Sequence, residues 1–271
     1  MCNATSGNIS IYWGLKGPNS AVATACASAT NAIGDAFRLI QRGTADVMIT
    51  GGSEAAVTPM GLSGFARMNA LSTRNDDPSV ASRPFDRDRD GLVIGEGAAT
   101  LILEERERAA RRGATIYGEL LGFGTSCDGS HITAPAPEGM REAMHLALAD
   151  ARLDKSAIDY VNAHATATAV GDIGESVASY SVLGDGVPLS STKAFTGHTL
   201  GACGALETAF CIAMMRDGFL APNRNLAHLD PECAPLAYVR GDARPARPRI
   251  TMNNNFAFGG INTSLILGAP E

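Results

Sequence analysis

The sequence has few aromatic and few charged residues: aromatic side chains make up 6% of its 271 residues and charged side chains 18%. Apolar residues make up 45%, a composition typical of a globular protein with a large buried core. Positive charge is not in excess, because 28 Asp and Glu outnumber 22 Lys and Arg. We therefore expect no binding to nucleic acid.

Long uninterrupted apolar runs are also missing, and no charged-then-apolar leader opens the sequence. The most apolar helical stretch, residues 199–215, is interrupted by Glu207, so we expect neither a membrane span nor secretion. The six cysteines lie far apart without a CxxC pair, which argues against disulfides and against a metal site. Reduced thiols predict a cytoplasmic protein.

Glycine, by contrast, is abundant, with 30 residues that fall between apolar runs, where an α/β protein needs tight turns. The pattern predicts strands at residues 22–25, 47–50, 92–96, 98–103, 116–123, 158–162, 249–254 and 263–267. It predicts helices at residues 26–42, 104–112, 138–151, 172–182 and 200–216.

A faint internal repeat relates the two ends of the chain. Each end has a small-residue helix that stops at a charged residue and a glycine, and each later closes with a glycine-centred pair of strands. We therefore predict two similar mixed-sheet α/β halves, residues 1–114 and 115–271, the first of them incomplete. A pseudo-twofold relation would bring the start of the Cys26 helix close to Gly197 and His198.

Four residues are candidates for chemistry. Cys26 is delivered by a short apolar stretch to the start of a helix, where a thiolate is stabilised. His164 follows a predicted strand, and Lys193 and His198 share one loop before the next small-residue helix. Taken singly, such a cysteine is more often a small buried apolar residue, and the others are more often structural or surface residues.

In combination these residues resemble the β-ketoacyl synthases of fatty-acid and polyketide synthesis, which share the thiolase fold. The resemblance runs nearly end to end through short motifs. These are ATAC at residues 23–26, ALST at 70–73, SRPFD at 82–86, RDG at 89–91, NAH at 162–164, STK at 191–193, TGH at 196–198 and FAFGG at 256–260. Together they are highly specific.

The resemblance implies a role for each residue of the site. Cys26 would accept an acyl group from an acyl carrier protein, and His164 and His198 would support decarboxylative condensation, with Lys193 orienting and polarising them. It further implies an oxyanion hole and gate formed by Cys26, Phe258, Gly259 and Gly260, pantetheine binding by Thr166 and Thr168, and support of the lysine by Glu207. No separate cofactor is expected, since substrates arrive on the phosphopantetheine of the carrier protein.

The sequence departs from the family pattern at two glycine positions, where it has Ala165 and Ala257. If either position required a positive φ, alanine would strain the backbone there. The chain also begins only 25 residues before Cys26, whereas complete synthases carry several elements upstream. We therefore expect an exposed sheet edge and apolar surface.

Three functions are compatible with these observations. The first is an elongating ketosynthase that acts on malonyl-acyl-carrier protein and forms a homodimer, or a heterodimer with another ketosynthase chain. The second is a truncated, weakly active or inactive remnant that binds a synthase or a carrier protein. The third, a thiolase, should carry a second cysteine in the closing glycine-rich loop, where residues 258–260 have none.

Overall fold

The computed structural model describes residues 1–270, which form a layered α/β protein. Its helices are α1 (Ala4–Trp13), α2 (Ser28–Gln41), α3 (Pro59–Arg67), α4 (Arg106–Arg111), α5 (Pro137–Ala151), α6 (Ala169–Leu183), α7 (Lys193–Thr196) and α8 (Cys203–Asp217). Its strands are β1 (Val47–Glu54), β2 (Gly97–Glu104), β3 (Glu119–Cys127), β4 (Tyr160–Asn162), β5 (Pro188–Ser190), β6 (Phe219–Leu220), β7 (Ala237–Tyr238), β8 (Arg244–Pro245), β9 (Ile250–Ala257) and β10 (Ile261–Gly268).

A six-stranded mixed sheet, in the order β3-β10-β9-β4-β5-β7, forms the centre of the fold. β3, β10 and β9 are antiparallel neighbours, whereas β4 is parallel to both β9 and β5. Seven of the eight residues of β9 and of β10 are buried. Both faces of the sheet are therefore covered, as in other sheets that pack between helices.

The helices cover this sheet in two layers. α5 packs on β3 and β10 and against α6, with Met140 and Met144 in the core between them. On the opposite face, α2 and α8 pack against β9 and β10, and they also contact the second sheet, the antiparallel pair β1–β2. Because α2 and α8 lie between two sheets, their first residues sit inside the molecule.

The predicted internal repeat is visible at α2 and α8. Each helix is preceded by a short 3₁₀ turn, Ala25–Ala27 before α2 and Leu200–Ala202 before α8. Both turns begin at a residue in the left-handed region, Ala25 with φ 50° and Leu200 with φ 46°. The two turns contact each other, so the two helix starts meet as the repeat predicted.

Two strand predictions are wrong. Residues 22–25 form no strand, because an apolar run becomes a strand only where a partner completes its ladder. Residues 92–96 do not pair with β2, which instead pairs with β1 in the register Val47 to Glu104. Leu92 and Ile94 make only single bridges, to Leu71 and His198.

The expected open edge is present in the second sheet. Among residues 1–270, β1 and β2 pair only with each other, so each has an outer edge without a partner strand. Ile102 on β2 is 68% exposed and Trp13 at the end of α1 is 67% exposed. Over the same residues, no helix combines the length and apolarity needed to cross a membrane.

Candidate active site

Cys26 lies in the 3₁₀ turn that leads into α2. Its side chain packs with Ala27, Leu200, Cys203 and Ala257, and only 7% of the residue is exposed. The small neighbours let the turn fit tightly against the start of α8. The thiol is therefore held at the centre of the molecule, at the first turn of a helix.

Two histidines converge on this thiol, one from the end of a helix and one from the end of a strand. His198 follows α7, and its Nε2 lies 2.9 Å from the Cys26 Sγ. His164 follows β4, and its ring centroid lies 5.2 Å from that of His198 at an interplanar angle of 86°. One nitrogen from each imidazole and the Cys26 sulfur all lie within 4.8 Å of one another. Residues separated by 138 and 172 positions from Cys26 thus form one cluster.

A buried ion pair lies behind the cluster. The Lys193 Nζ donates to Glu207 Oε1, and both residues are almost fully buried. Burial would lower the pKa of Lys193, but the Glu207 carboxylate outweighs it and holds the pKa above its ordinary value. Lys193 therefore places a permanent positive charge beside the two imidazoles.

The environment keeps the cluster neutral at rest. Burial lowers the pKa of His164 and of His198 well below the ordinary value, and the Lys193 charge lowers both further. Burial raises the pKa of the Cys26 thiol to about 11, although the Lys193 charge opposes the shift. The expected stabilisation of a thiolate by the helix start is thus outweighed by desolvation.

Two backbone N–H groups also converge on the sulfur. The amides of Phe258 and Cys26 donate toward it, and both lower the pKa of the thiol against the larger effect of burial. Phe258 belongs to the turn between β9 and β10, where Gly259 has φ 90° and Gly260 has φ 73°. These glycines allow a turn that other residues would adopt only under strain.

The loop after β4 carries the two predicted pantetheine-binding threonines. The hydroxyls of Thr166 and Thr168 lie 3.1 Å apart, just beyond His164. Ala165 and Ala257 both lack a positive φ; instead, Ala167 in this loop has φ 68°. The two alanines that replace the family's usual glycines are therefore unstrained.

Sequence reasoning assigned no role to Glu175, a buried carboxylate on α6. Its two oxygens accept from the backbone N–H groups of His164, at 2.8 Å, and Ala165, at 2.6 Å. Glu175 thus fixes the backbone that carries one of the two imidazoles. The signal available was a carboxylate within a helix of small and apolar residues, which is indistinguishable in sequence from a surface glutamate.

Cys26, His164 and His198 are the one group of three residues within 1–270 that could hold a metal ion. Thiolate and imidazole are ligands that Zn²⁺ accepts. The Lys193 ammonium, whose charge acts on both imidazoles, opposes a second cation at the same place. The arrangement suits proton transfer and stabilisation of negative charge better than metal binding.

Two family models match the chain. The N-terminal domain of β-ketoacyl synthases matches residues 1–109, and the C-terminal domain matches residues 117–227. A curated relative, the 3-oxoacyl-[acyl-carrier-protein] synthase 2 of Synechocystis sp., is 48% identical over 270 residues, which are 98% of this chain and 65% of the relative. The chain thus spans about two thirds of the length of the curated relatives it matches.

Solved structures give the same result for the fold. A β-ketoacyl synthase from Burkholderia phymatum superposes with a TM-score of 0.97 at 50% identity, covering 99% of this chain and 66% of that one. A type II polyketide ketosynthase, solved in complex with its acyl-carrier protein, superposes with a TM-score of 0.96 at 33% identity over 99% and 67% of the two chains. The predicted thiolase-like α/β fold is confirmed.

Proposed function

Because the chain belongs to the β-ketoacyl synthase family, we propose that it is a 3-oxoacyl-acyl-carrier-protein synthase. It would condense an acyl group bound to Cys26 with malonyl-acyl-carrier protein, giving 3-ketoacyl-acyl-carrier protein and carbon dioxide. The observation that carries this proposal is the contact of 2.9 Å between the Cys26 Sγ and the His198 Nε2, with the His164 ring beside it.

The first half-reaction is transfer of the acyl group to Cys26. The sulfur attacks the thioester carbonyl of the incoming acyl chain, and the thiol proton leaves with the pantetheine sulfur. Because the pKa of Cys26 is raised to about 11, this proton must be taken up during the attack, and His198 Nε2 is the nearest base. The N–H groups of Cys26 and Phe258 would receive the negative charge that forms on the carbonyl oxygen.

The second half-reaction needs neutral imidazoles. When the malonyl thioester loses carbon dioxide, an enolate oxygen develops, and an N–H of His164, together with that of His198 in the tautomer that carries its proton on Nε2, would stabilise it. The enolate carbon then attacks the acyl carbonyl, and the Cys26–acyl bond breaks to release the thiolate. The low pKa values of both histidines keep them as neutral donors, and Lys193 would orient and polarise them.

Access of the substrate would be controlled by the turn of residues 258–260. Phe258 is half-buried, its backbone N–H donates toward the Cys26 sulfur, and it is followed by two glycines with positive φ. This geometry supports a gate in which the Phe258 ring moves aside for the acyl chain. Thr166 and Thr168 would hold the pantetheine arm, and neither Ala165 nor Ala257 has the positive φ that would strain it.

The proposed partner is an acyl carrier protein, as in the polyketide ketosynthase solved with its own carrier protein. Substrates carried on phosphopantetheine would make a separate cofactor unnecessary. We further propose a dimer, either with a second copy or with another ketosynthase chain.

A second candidate function is a partner subunit without catalysis, which the unpaired outer edges of β1 and β2 favour. In that case the chain would bind a synthase or a carrier protein and would form no acyl-enzyme.

Incubation of the purified chain with acyl-loaded carrier protein, followed by mass spectrometry of its peptides, distinguishes the two. The expected result is an acyl adduct on Cys26 that is absent from Cys26→Ala. Cys2→Ala is the matched control, because Cys2 is an exposed thiol outside the cluster and its loss should leave the adduct unchanged. Folded protein without an adduct on Cys26 would favour the partner subunit.

A further inference from the structure

A buried chain of hydrogen bonds joins the Lys193–Glu207 ion pair to the helix that carries the nucleophile. Asn255 on β9 is its central member. The Asn255 Nδ2 donates to Glu207 Oε2 at 2.7 Å and approaches the Cys203 Sγ at 3.4 Å. On its other side, the Asn255 Oδ1 accepts from the Thr30 hydroxyl, which lies in the first turn of α2.

The second branch of the chain ends at the nucleophile itself. Cys203, the first residue of α8, donates its thiol to the backbone carbonyl of Cys26 at 3.2 Å. Asn255 is thus linked to helix α2 through the Thr30 hydroxyl, and to the turn that holds Cys26 through the Cys203 thiol. Both links are buried, as are Asn255 and Glu207.

The chemistry of the partners fixes the orientation of Asn255. Glu207 accepts a hydrogen bond from Lys193 through Oε1, and its Oε2 is likewise an acceptor, so it must face the Asn255 amino group. The Asn255 carbonyl oxygen then faces Thr30, whose hydroxyl must donate. Every polar atom of the Asn255 side chain is therefore used, and the reversed orientation would set two acceptors against each other.

The surrounding backbone leaves room for this link because residue 204 is a glycine and has no side chain. Gly204 lies so close to it that an added Cβ would stand 1.9 Å from the Thr30 Oγ1 and 2.8 Å from the Asn255 Oδ1. The main chain of Asn255 is held as well, because the Thr263 hydroxyl donates to its carbonyl at 2.9 Å. Helices α2 and α8 thus meet closely where the link passes between them.

We propose that Asn255 is a positioning residue of the condensation reaction, which acts by fixing the Lys193–Glu207 ion pair relative to Cys26 through Thr30 and Cys203. This inference rests on the proposed function, because the condensation reaction is what the positioning would serve. The hydrogen bonds of Asn255 are present whatever the function is. Without the Asn255 donor, the buried Glu207 carboxylate would lose a hydrogen bond. The form of the pair in which Glu207 is ionised and Lys193 is protonated would then become less favourable. Lys193 would then spend less time as a fixed cation beside the thiol and the imidazoles.

Loss of the Lys193 charge would change the pKa of the Cys26 thiol in a definite direction. The Lys193 charge lowers the pKa of the thiol more than the Glu207 charge raises it. Neutralisation of the pair would therefore raise the pKa of Cys26 and slow its reaction with electrophiles near neutral pH.

The test is the rate of alkylation of Cys26 by iodoacetamide as a function of pH, followed by mass spectrometry of the Cys26 peptide. Asn255→Leu should shift the profile to higher pH and lower the rate at pH 8 roughly tenfold, the effect of about one pKa unit. Thr30→Val should give a smaller shift in the same direction, and Thr30→Ser, which keeps the hydroxyl, should restore the original profile. If Asn255→Leu does not fold, the two Thr30 variants decide the outcome.

Asn253→Leu is the matched control, because Asn253 is a buried asparagine on the same strand that bonds Gly204 and Thr208 and not Glu207. It should lower stability without moving the profile. In a Lys193→Met background, Asn255→Leu should produce no further shift. An unchanged profile in folded Asn255→Leu, or an equal shift in the Lys193→Met background, would overturn the proposal. Alkylation needs no carrier protein, so these outcomes are separate from any failure of the condensation assay.

Discussion

At the scale of single residues, Glu175 offers a direct test of how burial sets the chemistry of this site. Burial raises the pKa of Glu175 to about 8, against the opposing effect of the N–H groups of His164 and Ala165. Between the ordinary glutamate value and about pH 8, the folded protein therefore holds a proton that the unfolded chain releases. The stability that this bound proton contributes is complete below the ordinary glutamate pKa and is lost as the pH rises through about 8.

We predict that Glu175→Gln, which cannot titrate, is less stable than the parent at pH 5 by about 1–3 kcal/mol, because the glutamine NH2 group would set a donor against one of the two backbone N–H groups, whereas both oxygens of the protonated carboxyl can still accept. The difference should shrink as the pH rises toward 8. Urea unfolding at several pH values measures it. Glu142→Gln, an exposed change on α5, should stay within about 0.5 kcal/mol at every pH. A difference for Glu175→Gln that widens with pH would contradict this assignment.

The sequence identified Cys26, His164, Lys193 and His198, and the structure brings them together. It could not reveal Glu175 or Asn255, because their roles depend on which backbone amide or carboxylate the fold places beside them. The prediction of a stabilised thiolate failed for the same reason. Helix position is local information, whereas the desolvation that raises the pKa of Cys26 is created by distant segments.

At the scale of elements, the close contact of α2 and α8 depends on Gly204. We predict that Gly204→Ala lowers the free energy of unfolding by about 2 kcal/mol or more, since its Cβ would clash with Thr30 and Asn255. Gly64→Ala on α3 is the control, because no atom lies within 4 Å of the added Cβ. It should stabilise the protein by up to about 1 kcal/mol through helix propensity. Equal effects of the two changes in denaturant unfolding would contradict the account of this contact.

Helices were predicted better than strands for a physical reason. The apolar faces of α2 and α5 repeat with the helical period, and local hydrogen bonds then complete each element. Strands need partners from elsewhere in the chain. Residues 22–25 have the composition of a strand but no ladder, whereas the short strands β5 and β7 form because neighbours complete them.

At the scale of the whole molecule, the pair β1–β2 offers a surface for association. We predict that the chain self-associates with rising concentration, and that Ile102→Lys reduces this association by placing a charge on the exposed strand. Ile132→Lys is the control, because Ile132 is equally exposed but lies in a loop. Sedimentation velocity measures both. A monomer that stays monomeric at every concentration would contradict the prediction.

The layered architecture explains how residues far apart in sequence form one site. α2 and α8 lie between two sheets, so Cys26 at one helix start meets His198 at the start of the related segment, while β4 delivers His164 from the central sheet. The internal repeat predicted the first of these meetings. The second depends on the parallel pairing of β4 with β9, which no short-range pattern encodes.

The most direct test of the proposed reaction is mass spectrometry of carrier protein after incubation of the chain with both acyl-loaded and malonyl-loaded carrier protein. The account predicts a 3-ketoacyl chain on the carrier protein, lengthened by the unit left after malonyl decarboxylation, and none with Cys26→Ala. Cys26 that becomes acylated but never yields the lengthened product, with malonyl-carrier protein in excess, would contradict it.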